Sequence, residues 1–236
     1  MKGAADYYDE FSERYERGRF HGYHAFIDDL EARTVIPHAR NKLSLEAGCG
    51  TGLIMKRLKT AGAVVFGADL SSGMLGVARK RGFPVVRADI RALPFKDESF
   101  DTVYSFKVLA HVMDAAGAVE EMARVTRRGG CILPEFYNRC SLRFLARVLK
   151  GARRISEATT DREVYTRYDT WKDILSYVPA SCRLEGVKGL RIWTLFPFLL
   201  RVPLLANLLA AVERICSNSC LKRFGGFVIL ELRRVM

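Results

Sequence analysis

Three glycines on alternate positions, Gly48, Gly50 and Gly52, follow Glu46 in the stretch LSLEAGCGTG. Glycine at that density in a turn means backbone at φ > 0, or another body in close approach. A dinucleotide fingerprint would place its third glycine at position 53, which is Leu53, and no Gly-Lys-Ser/Thr follows to cradle a triphosphate. Two further acids narrow the chemistry. Asp69 lies 19 residues after Gly50 at the end of an apolar run, where a carboxylate can accept from both hydroxyls of a ribose. Asp89 ends a third run in RADI, where it can accept from an exocyclic amine while the Ile90 N–H donates to a ring nitrogen. Glu46 is a poor neighbour for a phosphate and a good one for an ammonium group. The ligand implied is an adenosine with a cationic amino-acid tail.

These residues need elements to position them. KLSLEAG reads as a buried strand and LIMKRLKTAG as a helix; AVVFGADL is a second strand and SSGMLGVARKRG a second helix, begun by serine and closed by Gly82. PVVRADI and FDTVYSF read as further strands. AAGAVEEMARVTRRGG predicts a helix that stops at Gly129–Gly130, and CILPEF a fifth strand. Near-continuous apolar strands alternating with helices predict a doubly wound, mostly parallel α/β sheet with both faces covered. After Phe136, SLRFLARVLKGARR reads as a basic amphipathic helix, TRYDTWKDILSYV as a helix entered at Asp169 or Thr170, CRLEGVKGLRIW as a strand, FPFLLRVPLLANLLAAVERIC as two helices broken at Pro203, and GFVILELRRV as the last strand.

LEAGCGTG, GADLSSGML, RADIRALPFKDESFDTVYS, VLAHV and the RVTRRGG turn before CILPEF stand in one order and register. In these blocks the chain resembles the class I S-adenosylmethionine-dependent methyltransferases, in particular the branch with the quinone-biosynthesis and small-molecule enzymes. The resemblance covers residues 40–136 well and 1–40 and 160–236 loosely. It implies a Rossmann-like seven-stranded fold in one domain: lid helices over 1–40, a cofactor-binding core over 41–136, and substrate-side helices and last strands over 137–236. It also implies S-adenosyl-L-methionine as cofactor and S-adenosyl-L-homocysteine as product. By the same resemblance Gly48, Cys49, Gly50 and Gly52 wrap the methionine part, Asp69 holds the ribose, Leu70 and Met74 flank the adenine, and Asp89 with Ile90 reads its edge. Phe106 and Lys107 line the pocket near the sulfonium, and Tyr8, Phe11 and Tyr15 form an aromatic lid. His111 is the candidate general base, against a packing role; Tyr137 and Glu135 are weaker candidates for touching the acceptor.

Composition bears on the acceptor. Residues 1–123 carry 17 Lys+Arg against 17 Asp+Glu and residues 124–236 carry 21 against 9, so the whole net charge of +12 lies in the second half. Arg143, Arg147, Lys150 and Arg154 recur at helical spacing beside Leu142, Leu145, Val148 and Leu149, which fits peripheral contact with an anionic membrane or a solvated surface helix. The apolar run 192–212 is interrupted by Pro197, Arg201, Pro203 and Asn207, which favours a packed lid over a bilayer span. Together these favour a hydrophobic or amphiphilic small-molecule acceptor such as a lipid, quinone precursor or polyketide. RNA methylation ranks below it, since no aromatic stacking platform accompanies the basic residues. A non-catalytic nucleotide-binding scaffold is the reading from another class. Cys49, Cys131, Cys140, Cys182, Cys216 and Cys220 form no C-x-x-C pair, so no metal site is expected, and the polar amino terminus points to the cytoplasm.

Overall fold

The computed structural model describes residues 8, 9, 12, 15, 16, 22–150, 165–194 and 203–236. Seven strands form one sheet in the order β3-β2-β1-β4-β5-β7-β6. They are β1 (Leu43–Ala47), β2 (Val64–Asp69), β3 (Val85–Arg87), β4 (Phe100–Ser105), β5 (Thr126–Tyr137), β6 (Cys182–Leu190) and β7 (Phe227–Arg234). The first five pair in parallel, while β7 runs antiparallel between β5 and β6. The expected doubly wound, mostly parallel α/β sheet is therefore present. Its order reverses between β1 and β4, so a crevice opens beyond their carboxyl ends.

Period-two alternation divides the side chains between two cores. Leu45, Ala47, Val103, Ile132, Phe136, Val228 and Leu230 pack with α4 (Ala115–Val125) and with Ile174 of α6 (Trp171–Ser176). Tyr104, Leu133, Tyr137, Phe227 and Ile229 face the opposite layer, formed by α1 (Gly22–Ala39), α2 (Leu53–Thr60) and α3 (Ser72–Lys80). In β1 and β5 this parity sends Glu46 and Glu135 to the α1 side. The remaining helices are α5 (Leu142–Lys150) and α7 (Pro203–Cys216). Pro203 opens α7, where its missing N–H would have had no partner in any case. Thr170 and Asp173 form a reciprocal capping box at the start of α6.

Two expected boundaries move. Helix α4 ends at Val125 rather than at Gly129–Gly130, and β5 begins at Thr126 and runs through the glycines. The exchange is paid for by the sheet: Thr126 pairs with Phe100, and the Arg127 guanidinium meets Asp101 at 2.7 Å. The third strand is also shorter than PVVRADI, because Asp89 turns back into a single bridge with Ala92.

The β1–α2 turn has two different requirements for glycine. Gly48 sits at φ +85°, and a Cβ there would lie 2.1 Å from Val108 Cγ2; Gly50 sits at φ +52°, and a Cβ there would meet nothing within 4 Å. Gly48 is thus required by packing as well as by φ, and Gly50 by φ alone within the protein. Gly48→Ala is expected to lose roughly 2–5 kcal/mol and Gly50→Ala only about 1–2 kcal/mol. Urea unfolding checks this as a larger fall in midpoint for the former at constant m.

Candidate functional site

The glycine turn is fastened across the crevice to β2. Asp69 Oδ2 accepts from Gly50 N–H at 2.8 Å, and Oδ1 accepts from Ser71 N–H at 2.9 Å. Burial raises the Asp69 carboxyl above its ordinary range, and these amides pull it back toward the ionised form. Each oxygen keeps a lone pair for a further donor.

Beside the turn a pocket holds about 350 Å³ of empty space, open solvent included, and Tyr15, Asp28, Glu46, Gly48, Cys49, Gly50, Thr51, Phe106 and Lys107 are among its lining residues. Of the residues singled out from sequence, it brings together Tyr15, Glu46, Gly48, Cys49, Gly50, Phe106 and Lys107. Gly52, Asp69, Leu70, Met74, Asp89 and Ile90 lie outside its lining. Gly52 caps α2 in the left-handed conformation, Met74 and Ile90 are buried, and Leu70 is largely exposed. Asp89 is clasped by Arg91, whose Nη2 lies 2.6 Å from Oδ2, and this pairing lowers its carboxyl. Phe11 lies outside the described residues.

Electrostatics distinguish this pocket. Glu46 is buried, accepts from the Tyr104 hydroxyl at 3.2 Å, and is held well above the usual carboxylate range by burial. Burial does the same to Glu135, which accepts from Lys107 N–H at 2.9 Å. The Lys107 ammonium bridges Asp28 at 2.8 Å and Glu31 at 2.7 Å. Asp28 and Glu31 therefore hold the Lys107 ammonium, while burial disfavours the ionised form of Glu46 and Glu135, and an added positive charge in the pocket would draw Glu46 toward that form. Sequence reading missed Asp28 and Glu31. Their signal was present in FIDDLEAR, where two acids three apart share the buried face of α1. Lys107 lines the pocket with its backbone at φ +61°, and its ammonium is engaged with α1.

Asp9 and Glu16 make contacts around α3 that no motif announces. Asp9 accepts from Ser71 Oγ and from Gly73 N–H at 2.8 Å, and Glu16 pairs with Arg81. Arg81 also donates to the Thr51 carbonyl at 2.6 Å. Tyr8 meets His111 edge-on, with ring centroids 6.4 Å apart.

His111 sits in a one-turn 3-10 helix after β4. Its Nδ1 lies 2.8 Å from the Tyr165 carbonyl, which can only accept, so Nδ1 carries the proton and Nε2 the lone pair. Burial pulls its imidazole below the ordinary value, toward the neutral form a general base needs. Arg167 fixes this loop by donating to the Val112 and Met113 carbonyls at 3.1 and 3.0 Å.

The basic helix α5 turns its arginines inward. Arg143 lies over the rings of Tyr137 and Phe227, and Arg147 over Tyr168, while Leu142, Leu145 and Val148 are exposed. Two of the four basic residues expected to meet a membrane thus pack on aromatic rings; Arg154, and Pro197 and Arg201 of the later apolar run, lie outside the described residues. No helix among the described residues is long and apolar enough to cross a membrane, and no group of three or more His, Cys, Asp or Glu among them could hold a metal.

The residues fit an adenosyl amino acid: a buried carboxyl for its ammonium at Glu46, open space at Gly50, and spare lone pairs at Asp69. Comparison with known proteins agrees. Residues 45–133 match the family model described as a methyltransferase domain. The chain is 45% identical over 86 residues to a demethylmenaquinone methyltransferase of Mycobacterium sp. (strain KMS), a match spanning 36% of this chain and 37% of that protein's length. It is 32% identical over 155 residues to an uncharacterised protein of Methanocaldococcus jannaschii, covering 65% of this chain and 71% of that one. In fold it is similar to a Thermotoga maritima S-adenosylmethionine-dependent methyltransferase described as a possible histamine N-methyltransferase, with TM-score 0.69 at 20% identity over 97% of this chain and 98% of the other. On the matching domain and these relatives, the chain belongs to the class I S-adenosylmethionine-dependent methyltransferases.

Proposed function

We propose that this protein transfers a methyl group from S-adenosylmethionine to a small hydrophobic or amphiphilic acceptor, with 1–236 working as one domain. The observation that carries the reading is the crevice itself, in which Asp69 is anchored to the Gly50 turn beside the buried Glu46 carboxyl. When bound, the cofactor supplies a methyl group on a sulfonium, ready for in-line displacement. The protein's task is then alignment in a dry space. Glu46 would hold the ammonium, Gly48, Cys49 and Gly50 the amino-acid portion, and Asp69 the ribose hydroxyls. Leu70 and Met74 would flank the purine and Asp89 with Ile90 would read its edge, Asp89 first exchanging part of its contact with Arg91. Tyr15 and Phe106 would exclude water, and His111 would take a proton from the acceptor at Nε2. The demethylmenaquinone relative supports an amphiphilic acceptor.

Incubation with labelled methyl donor and cell extract should put label in the lipid or small-molecule fraction; label in RNA, or in no fraction, would reject the reading. Asp69→Ala should weaken S-adenosylhomocysteine binding by roughly 1.5–3 kcal/mol in calorimetry, because charge-assisted hydrogen bonds to the ribose are lost. For a base with a lowered pKa, the rate rises with pH through a value below about 6.5 and levels off above it. His111→Ala should remove that acid limb and slow turnover roughly 10²-fold; an unchanged profile would leave alignment alone as the mechanism.

A further inference from the structure

At the same edge of the sheet as the cofactor crevice, Tyr137 ends β5 and pairs with Phe227 at the start of β7, and Phe227 pairs in turn with Leu190 at the end of β6. Two guanidinium groups converge on this corner. Arg143 Cζ lies 5.4 Å from the Tyr137 ring centroid and 5.3 Å from that of Phe227. Arg191 Cζ lies 5.4 Å from the Phe227 centroid and 4.6 Å from that of Tyr23 on α1. We propose that Arg143 and Arg191 form the anion-recognising end of the acceptor site, selecting acceptors that carry a carboxylate or phosphate on an apolar or aromatic body. This rests on the methyltransferase reading above and names the substrate class of that same site.

Four observations support it. Among the described residues, neither guanidinium has an ion pair or a hydrogen bond, and Arg191 Nε is buried without a partner. The carboxyls whose fields reach them bond elsewhere: Glu135 Oε1 accepts from Lys107 N–H while its Oε2 is buried without a partner, and Glu213 accepts from Ile192 N–H at 3.1 Å and Trp193 N–H at 2.7 Å. Burial raises both of these acids, which leaves them weak counter-ions, and draws Arg191 down to about 10. Two cations on one ring without a counter-ion repel each other, and a bound anion removes that penalty. Arg191 is held at φ +63°, a conformation that side-chain-bearing residues rarely adopt and that directs it to this corner. Finally, the corner adjoins the reacting centre: the Tyr137 ring meets His111 at 6.0 Å between centroids, and Glu135, two residues before it, contacts Lys107 of the cofactor pocket. The rings of Tyr23, Tyr137 and Phe227 supply the apolar body of the site.

The test uses the full chain saturated with S-adenosylhomocysteine and three probes on one aromatic frame: 2-naphthoate, 2-naphthyl phosphate and the neutral 2-naphthamide. Calorimetry at pH 7.5 should show at least one anion binding about ten-fold or more tighter than the amide, and which of them does so distinguishes a carboxylate from a phosphate site. Arg143→Gln and Arg191→Gln should each remove most of that preference while S-adenosylhomocysteine affinity stays within about two-fold, which also reports that the variants are folded. Equal binding of amide and anions, or a preference that survives in Arg143→Gln, would overturn the proposal with the methyltransferase reading intact. Failure of the wild-type protein to bind S-adenosylhomocysteine would instead overturn that reading, and the proposal with it.

Discussion

The structure depends on one hydrogen-bonded anchor, the Asp69 carboxylate that accepts from Gly50 N–H and Ser71 N–H. It joins the turn after β1 to the turn after β2, so the two turns are hydrogen-bonded through one side chain beside the point where the strand order reverses. A buried carboxylate is costly unless its oxygens are occupied, and backbone amides occupy them here without consuming a side chain.

Charge is the second organising feature. Glu46, Glu135, Asp28 and Glu31 gather around Lys107 on the α1 side of the sheet, while Arg143 and Arg191 gather at the adjoining corner under α5 and after β6. The first region pairs its cation with two acids, and the two guanidiniums of the second have no ion pair among the described residues. The arginine cluster lies at the corner where β5 meets β7. It also gives the excess of basic residues in the second half of the chain a local use. Arg143 and Arg147 cover aromatic rings rather than forming a surface patch.

Asp9 supplies a carboxylate to the first turn of α3, and Glu16 meets Arg81 just past its last turn, so two residues near the amino terminus touch both ends of that helix. Tyr15, one residue before Glu16, lines the pocket.

Much of this was legible in the sequence. The order of strands and helices follows from apolar periodicity, and the glycine turn with Asp69 follows from spacing, since both are local rules that short-range sterics enforce. The end of α4 was not legible, because Thr126 to Gly130 joins β5 only through pairing with β4, a partner that local propensity does not see. The buried acids of α1 and the inward turn of Arg143 and Arg191 were not legible either: which face of a helix meets which strand end depends on packing between segments far apart in the chain. Sequence by itself determined the sheet, the turn and the kind of cofactor. Tertiary structure alone decided where the charges meet, because Coulomb interactions and desolvation depend on distance and burial in space, which spacing along the chain does not set.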